Sequence, residues 1–72
     1  ARDSIRVGDF MLFSGRNASE IGHVGLCVGK DSTGIYMLHS ATHCGVLIEN
    51  WVGQAYYERR YRGARRLFYY RP

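Results

Sequence analysis

Turn signals interrupt this chain roughly every 10 to 15 residues, and the runs between them are short, apolar and aromatic. That rhythm leaves little room for anything but strands. "DFMLFS" (9–14) follows a Gly-Asp turn signal, and "GRNASE" (15–20) is a polar loop. "HVGLCVG" (23–29) and "IYMLHSA" (35–41) flank the hairpin-type turn "KDSTG". "THCG" is a further turn before "VLIEN" (46–50), and "GARRLFYYR" (63–71) is a last strand. "WVGQAYYERRY" (51–61) reads as a loop or one short helical turn. No window carries a long 3.6-residue period. Five strands with short connections predict an antiparallel sheet.

At 72 residues the chain makes one domain at most. A domain of this size buries only about 60% of its unfolded surface. The 46% apolar fraction and the aromatics, six of them tyrosine, are those of a packed chain rather than a disordered one. A sheet this apolar needs cover on its second face, and no helix in the sequence is long enough to supply it. Two cysteines do not make a disulfide scaffold, and no apolar run reaches membrane-spanning length.

The net charge is +4, and six of the ten basic residues fall between Arg59 and Arg71. Arginines on the wet face of a strand explain this clustering. The same clustering, interleaved with Tyr56, Tyr57, Tyr61, Phe68, Tyr69 and Tyr70, is also what a small basic β-barrel would use to bind nucleic acid or another anionic polymer.

His23 opens one apolar strand and His39 lies near the end of the next. Neighbouring antiparallel strands run about 4.8 Å apart, so the two imidazoles can meet. Paired imidazoles inside a sheet are poor packing material but good chemistry: one acts as base, and the other fixes its tautomer and orientation. The nucleophile is harder to find. Cys27 is four residues beyond His23, about 13 Å along an extended strand, and reads as core. Cys44 lies in a turn with no helix N-terminus to lower its pKa. Ser14 and Ser40 read as ordinary strand-end residues. A zinc reading of His23, His39, His43 and Cys44 is weak, because the His-x-x-x-His spacing shares a face on a helix but not across a strand end.

The ordered elements Gly8-Asp9, His23-Val24-Gly25, Leu38-His39-Ser40 and Gly63-Ala64-Arg65-Arg66 resemble the C-terminal half of the NlpC family of cell-wall cysteine peptidases. The resemblance covers nearly the whole chain. It implies an α+β class, in which this chain is the antiparallel β-sheet half, about five strands, of a papain-like cysteine peptidase fold whose helical half is absent from it. Residues 1–72 would then be a single partial domain. It implies His23 as catalytic base and His39 as its orienting residue. The nucleophilic cysteine would come from an upstream helical segment with an Asp-Cys-Ser-Gly motif. It further implies hydrolysis of γ-D-glutamyl–diamino acid amide bonds in peptidoglycan stem peptides, at a secreted, periplasmic or cell-surface location. No cofactor, metal, nucleic acid or membrane span is expected, and the isolated chain is expected to be inactive. A non-catalytic cell-wall peptide-binding domain would carry the same residues. The loop "HSATHCG" departs from the family pattern in its extra His43 and Cys44.

Overall fold

The computed structural model describes residues 2–66. After a 3-10 turn at Arg2–Ser4 come β1 (Phe10–Ser14), β2 (Ile21–Asp31), β3 (Gly34–Ala41) and β4 (Gly45–Asn50). A short helix, α1 (Ala55–Arg60), then leads directly into β5 (Tyr61–Arg65). The strands form one open sheet in the order β4-β3-β2-β1-β5, with every neighbouring pair antiparallel. Three consecutive hairpins build four of the strands, and β5 returns to the free edge of β1.

The α+β class is therefore corrected. The molecule is a small, mostly-β domain, and its α-helix among the described residues is six residues long. The reason lies in the chain itself. Gly53, at φ 91°, turns the backbone just before the helix, and Tyr61 leaves it in extended geometry at φ −60°, ψ 128°. The helical component was inferred from the sheet's uncovered second face and from the family resemblance, and had no period in the sequence behind it. The rival barrel is corrected too, because the sheet is open, with β4 and β5 at its edges. The last strand begins at Tyr61 rather than at residue 63 and ends at Arg65; residues 67–71 of that expected strand lie outside the described residues.

Odd-numbered positions on β1 to β3 point to the covered face. Met11, Phe13, Cys27, Ile35 and Met37 form the core there with Ile5 and Trp51. Trp51, from the β4–α1 connection, is fully buried. It stands edge-on to Phe13 at 5.4 Å, stacks on Tyr61 at 5.1 Å and donates its indole N–H to Met11 Sδ at 3.2 Å. Side chains, not helices, thus cover this face. The N-terminal segment is held against it by Lys30, whose ammonium donates to the carbonyls of Arg2, Asp3 and Ile5 at 2.9–3.1 Å. The other face leaves Val24, Val28, Val46 and Ile48 exposed.

Candidate functional site

Three adjacent strands each contribute one inward-facing polar residue: His23 on β2, His39 on β3 and Glu49 on β4. The β2–β3 register, carried one rung past Leu26↔Leu38, sets Gly25 across from His39. Gly25 has no side chain, so His23, two residues away on the same face, reaches His39 diagonally. A β-bulge between Phe13 and Ser14 shifts the β1–β2 register beside His23, the kind of irregularity that re-aims a side chain at a site. Gly22 in that bulge lies against Gly15, and a Cβ on it would sit 2.4 Å from the Gly15 Cα.

The result is a continuous polar line. His23 Nε2 and His39 Nδ1 are 2.8 Å apart, and His39 Nε2 lies 2.6 Å from Glu49 Oε1. Gln54 donates to Glu49 Oε2 at 3.1 Å. That amide, and then the His39 N–H, hold the Glu49 carboxyl below its ordinary range against the opposing effect of desolvation. Glu49 is thus an acceptor only, so His39 donates to it through Nε2. With its Nε2 proton directed at Glu49, His39 accepts at Nδ1 from the N–H of His23 Nε2. This assigns the basic lone pair of neutral His23 to Nδ1, which has no hydrogen-bond partner among the described residues. Burial, and then the neighbouring His39, push the His23 pKa below its usual value, so the ring is neutral and basic near pH 7.

Tyr57 braces the pair from α1. Its ring lies 5.7 Å from that of His39 and 6.1 Å from that of His23, and edge-on to Phe13 at 5.4 Å. His39 is 4% exposed, while His23 reaches a cavity of about 800 Å³ between the β1–β2 loop, the β3–β4 turn and α1.

The structure brings His23 and His39 together as the sequence suggested and separates the cysteines. Cys27 is buried, its thiol directed at the Gly29 carbonyl at 3.6 Å and its pKa raised by desolvation. Cys44 is exposed and lines the same cavity as His23, as do His43, Ser14 and Ser40. Among the described residues no group of three or more His, Cys, Asp or Glu is arranged to hold a metal ion. Tyr57 and Tyr61, two of the aromatics in the nucleic-acid reading, pack against the core; Phe68, Tyr69 and Tyr70 lie outside the described residues.

No protein-family model matches the sequence, and neither does any curated protein.

Sequence reasoning missed Glu49, Gln54 and Tyr57. A signal for Glu49 existed. It is the lone carboxylate of β4, following the apolar run of Val46, Leu47 and Ile48, two residues from Leu47, which pairs with His39. Diagonal neighbours on one face are within reach of long side chains.

Proposed function

We propose that this chain supplies the general base and its orienting groups to a cysteine-type peptidoglycan endopeptidase of the NlpC kind, acting on γ-D-glutamyl–diamino acid amides in stem peptides of the bacterial cell envelope. The observation that carries this reading is the His23–His39–Glu49 line, which ends in a free Nδ1 beside an open cavity. The ordered motifs from Gly8-Asp9 to Arg65-Arg66 support the family.

In this mechanism a cysteine thiol gives its proton to His23 Nδ1, and the thiolate attacks the amide carbonyl. The C–N bond breaks as the imidazolium returns the proton to the leaving amine. Water, deprotonated by His23, then releases the acyl group. His39 and Glu49 keep the ring in the right tautomer and stabilise its cationic form. Cys27 is buried with its thiol directed at the Gly29 carbonyl and does not serve as the thiol, and this reading places the nucleophile in an upstream helical segment. The position of Cys44 on the cavity wall favours a second source within the chain.

The test is hydrolysis of γ-D-glutamyl-diaminopimelyl peptides by the 72-residue chain and by the longest natural polypeptide that contains it. The expected result is turnover by the longer protein, abolished by His23→Ala, and none by the chain alone. Turnover by the chain that Cys44→Ser removes would reassign the nucleophile to Cys44. Turnover indifferent to His23→Ala, or its absence in both proteins, would overturn the peptidase reading and leave a peptide-binding role.

A further inference from the structure

The two edges of the sheet are built differently. The β5 edge is blunted. Its pairing with β1 is broken by a register shift between Leu12 and Phe13, and Gly63 takes a positive φ of 133°. Two arginines, Arg62 and Arg65, stand on it. Their guanidiniums donate to the carbonyls of Tyr61 and Ala64 at 3.0 and 2.9 Å. Bulges and charged side chains are the means by which proteins keep a foreign strand off an edge.

β4 has none of these. Its pairing with β3 runs from Tyr36↔Asn50 to Ala41↔Gly45 without a register shift. It holds no proline, lysine or arginine. Its one charged side chain, Glu49, is turned inward to His39. Val46 is 72% exposed and Ile48 59%, both on the open face at the rim of the sheet. Among the described residues, only the Gln54 amide, at the Asn50 carbonyl, reaches the β4 backbone from outside the β3 ladder. The outward-pointing N–H and C=O groups of 46–49 meet no partner among the described residues. A regular apolar edge of this kind is a template for another strand.

We propose that β4 docks a second copy of this chain, the two β4 strands pairing antiparallel about a two-fold axis at Leu47. Opposite residues of an antiparallel pair lie on the same face, so the axis passes through a residue rather than between two. With Leu47 on the axis, Val46 stands across from the partner's Ile48, twice over, and Glu49 stands across from the partner's Gly45. Apolar side chains then meet on the open face, and no two carboxylates oppose each other. An axis at Ile48 would instead set Val46 against the partner's Asn50 and Leu47 against the partner's Glu49. The arginine-bearing β5 edges lie at the two far ends of the joined sheet, about 43 Å apart and well beyond the screening length. A second copy is favoured over an unrelated extended peptide because the strand is its own complement in this register, as a two-fold interface requires. So short an edge buries less than the about 800 Å² per partner of a standard interface. The pair is therefore weak, with a dissociation constant on the order of 100 µM. The inference stands apart from the peptidase reading.

The test is sedimentation equilibrium of the 72-residue chain at concentrations on either side of that constant. The expected result is a reversible monomer–dimer equilibrium that Ile48→Lys weakens about tenfold, through the loss of two apolar cross-strand pairs. Val24→Lys, on the same open face but on β2, should leave it unchanged. Both lysines replace exposed side chains, and the unaltered chain tests the proposal without them. Cysteine cross-linking on a Cys44→Ser background reads the register. Val46→Cys and Ile48→Cys chains should form a disulfide dimer when mixed and far less when oxidised alone, because like positions lie diagonally across the axis. A monomer at every concentration overturns the proposal. So does a dimer lost in Val24→Lys but kept in Ile48→Lys, which would mean face-to-face packing. Cross-linking as fast within either single variant as in the mixture overturns the two-fold at Leu47. A dimer that disappears in the longest natural polypeptide containing the chain gives the edge to another segment of that polypeptide, and overturns the proposal as well.

Discussion

Two buried ionisable groups, one just before β1 and one on β3, invite comparison. Asp9 is 3% exposed, and His39, near the end of β3, is 4% exposed. Each leans on a more exposed partner of the opposite kind: Arg66 for Asp9 and Glu49 for His39. The Asp9 centre is closed. Arg66 donates to both carboxylate oxygens, at 2.8 and 3.0 Å, and the Arg6 backbone N–H adds a third bond at 2.9 Å. The His39 centre is open. Its chain of hydrogen bonds continues through His23 and stops at a nitrogen facing a cavity. A polar group with every partner in place fastens the fold; one that ends in a free lone pair is available for chemistry.

The largest expected effect lies at the closed centre. Arg66→Gln leaves the Asp9 carboxylate buried without its counter-charge and should cost about 3 kcal/mol in urea unfolding. The Arg66 guanidinium holds the Asp9 carboxyl below the usual range. Its stabilisation is therefore complete above the unfolded carboxylate value and is lost as pH falls through the lower native one, and the variant should flatten that acid limb. A cost below about 1 kcal/mol, typical of a surface pair, would break the comparison.

Gly25→Ala comes next. A Cβ there would lie 2.6 Å from Met37 Sδ and 3.1 Å from its Cβ, in the row that lets His23 reach His39. Overpacking of this kind costs about 2 kcal/mol. The sharper readout is the His23 imidazole signal in NMR, which should shift as the contact with His39 is disturbed. An unchanged signal would mean that the glycine serves packing alone.

Glu49→Gln should cost only about 1 kcal/mol, because a neutral amide still accepts from His39. Its mark is electrostatic. The Glu49 charge raises the His23 pKa against burial and His39, so the variant should titrate His23 at still lower pH. Below about pH 6.5 the unfolded chain binds more protons than the native one, so acid destabilises the protein through this histidine. The variant should widen that window. A His23 titration identical to that of the wild type would remove Glu49 from the line.

The smallest effect is expected at Cys44→Ser, within about 0.5 kcal/mol, as for an exposed side chain. Iodoacetamide should label Cys44 in the native protein and spare Cys27, which is 1% exposed. Labelling of both at equal rates would mean that the core around Cys27 opens.

The sequence by itself determined the strands, their antiparallel pairing and the meeting of His23 with His39. These depend on local quantities: turn chemistry, strand period and a short hairpin connection. It left "WVGQAYYERRY" open between a loop and one short helical turn, and α1 forms within it. Only the tertiary structure decided the rest. Asp9 and Arg66 are 57 residues apart, and nothing in either neighbourhood names the other. Glu49 joins the imidazoles because the β3–β4 register sets Leu47, rather than Val46 or Ile48, opposite His39. A slip of one residue would have turned the carboxylate to the other face. Trp51 reads as part of a loop, yet it seals the core by reaching across to β1 and β5. The α+β class failed for the complementary reason: it came from the sheet's uncovered second face and a likeness to a family rather than from a helical period in these residues. Pattern along a chain encodes contacts between near neighbours, whereas contacts made by sheet order and register exist only once the strands have found one another.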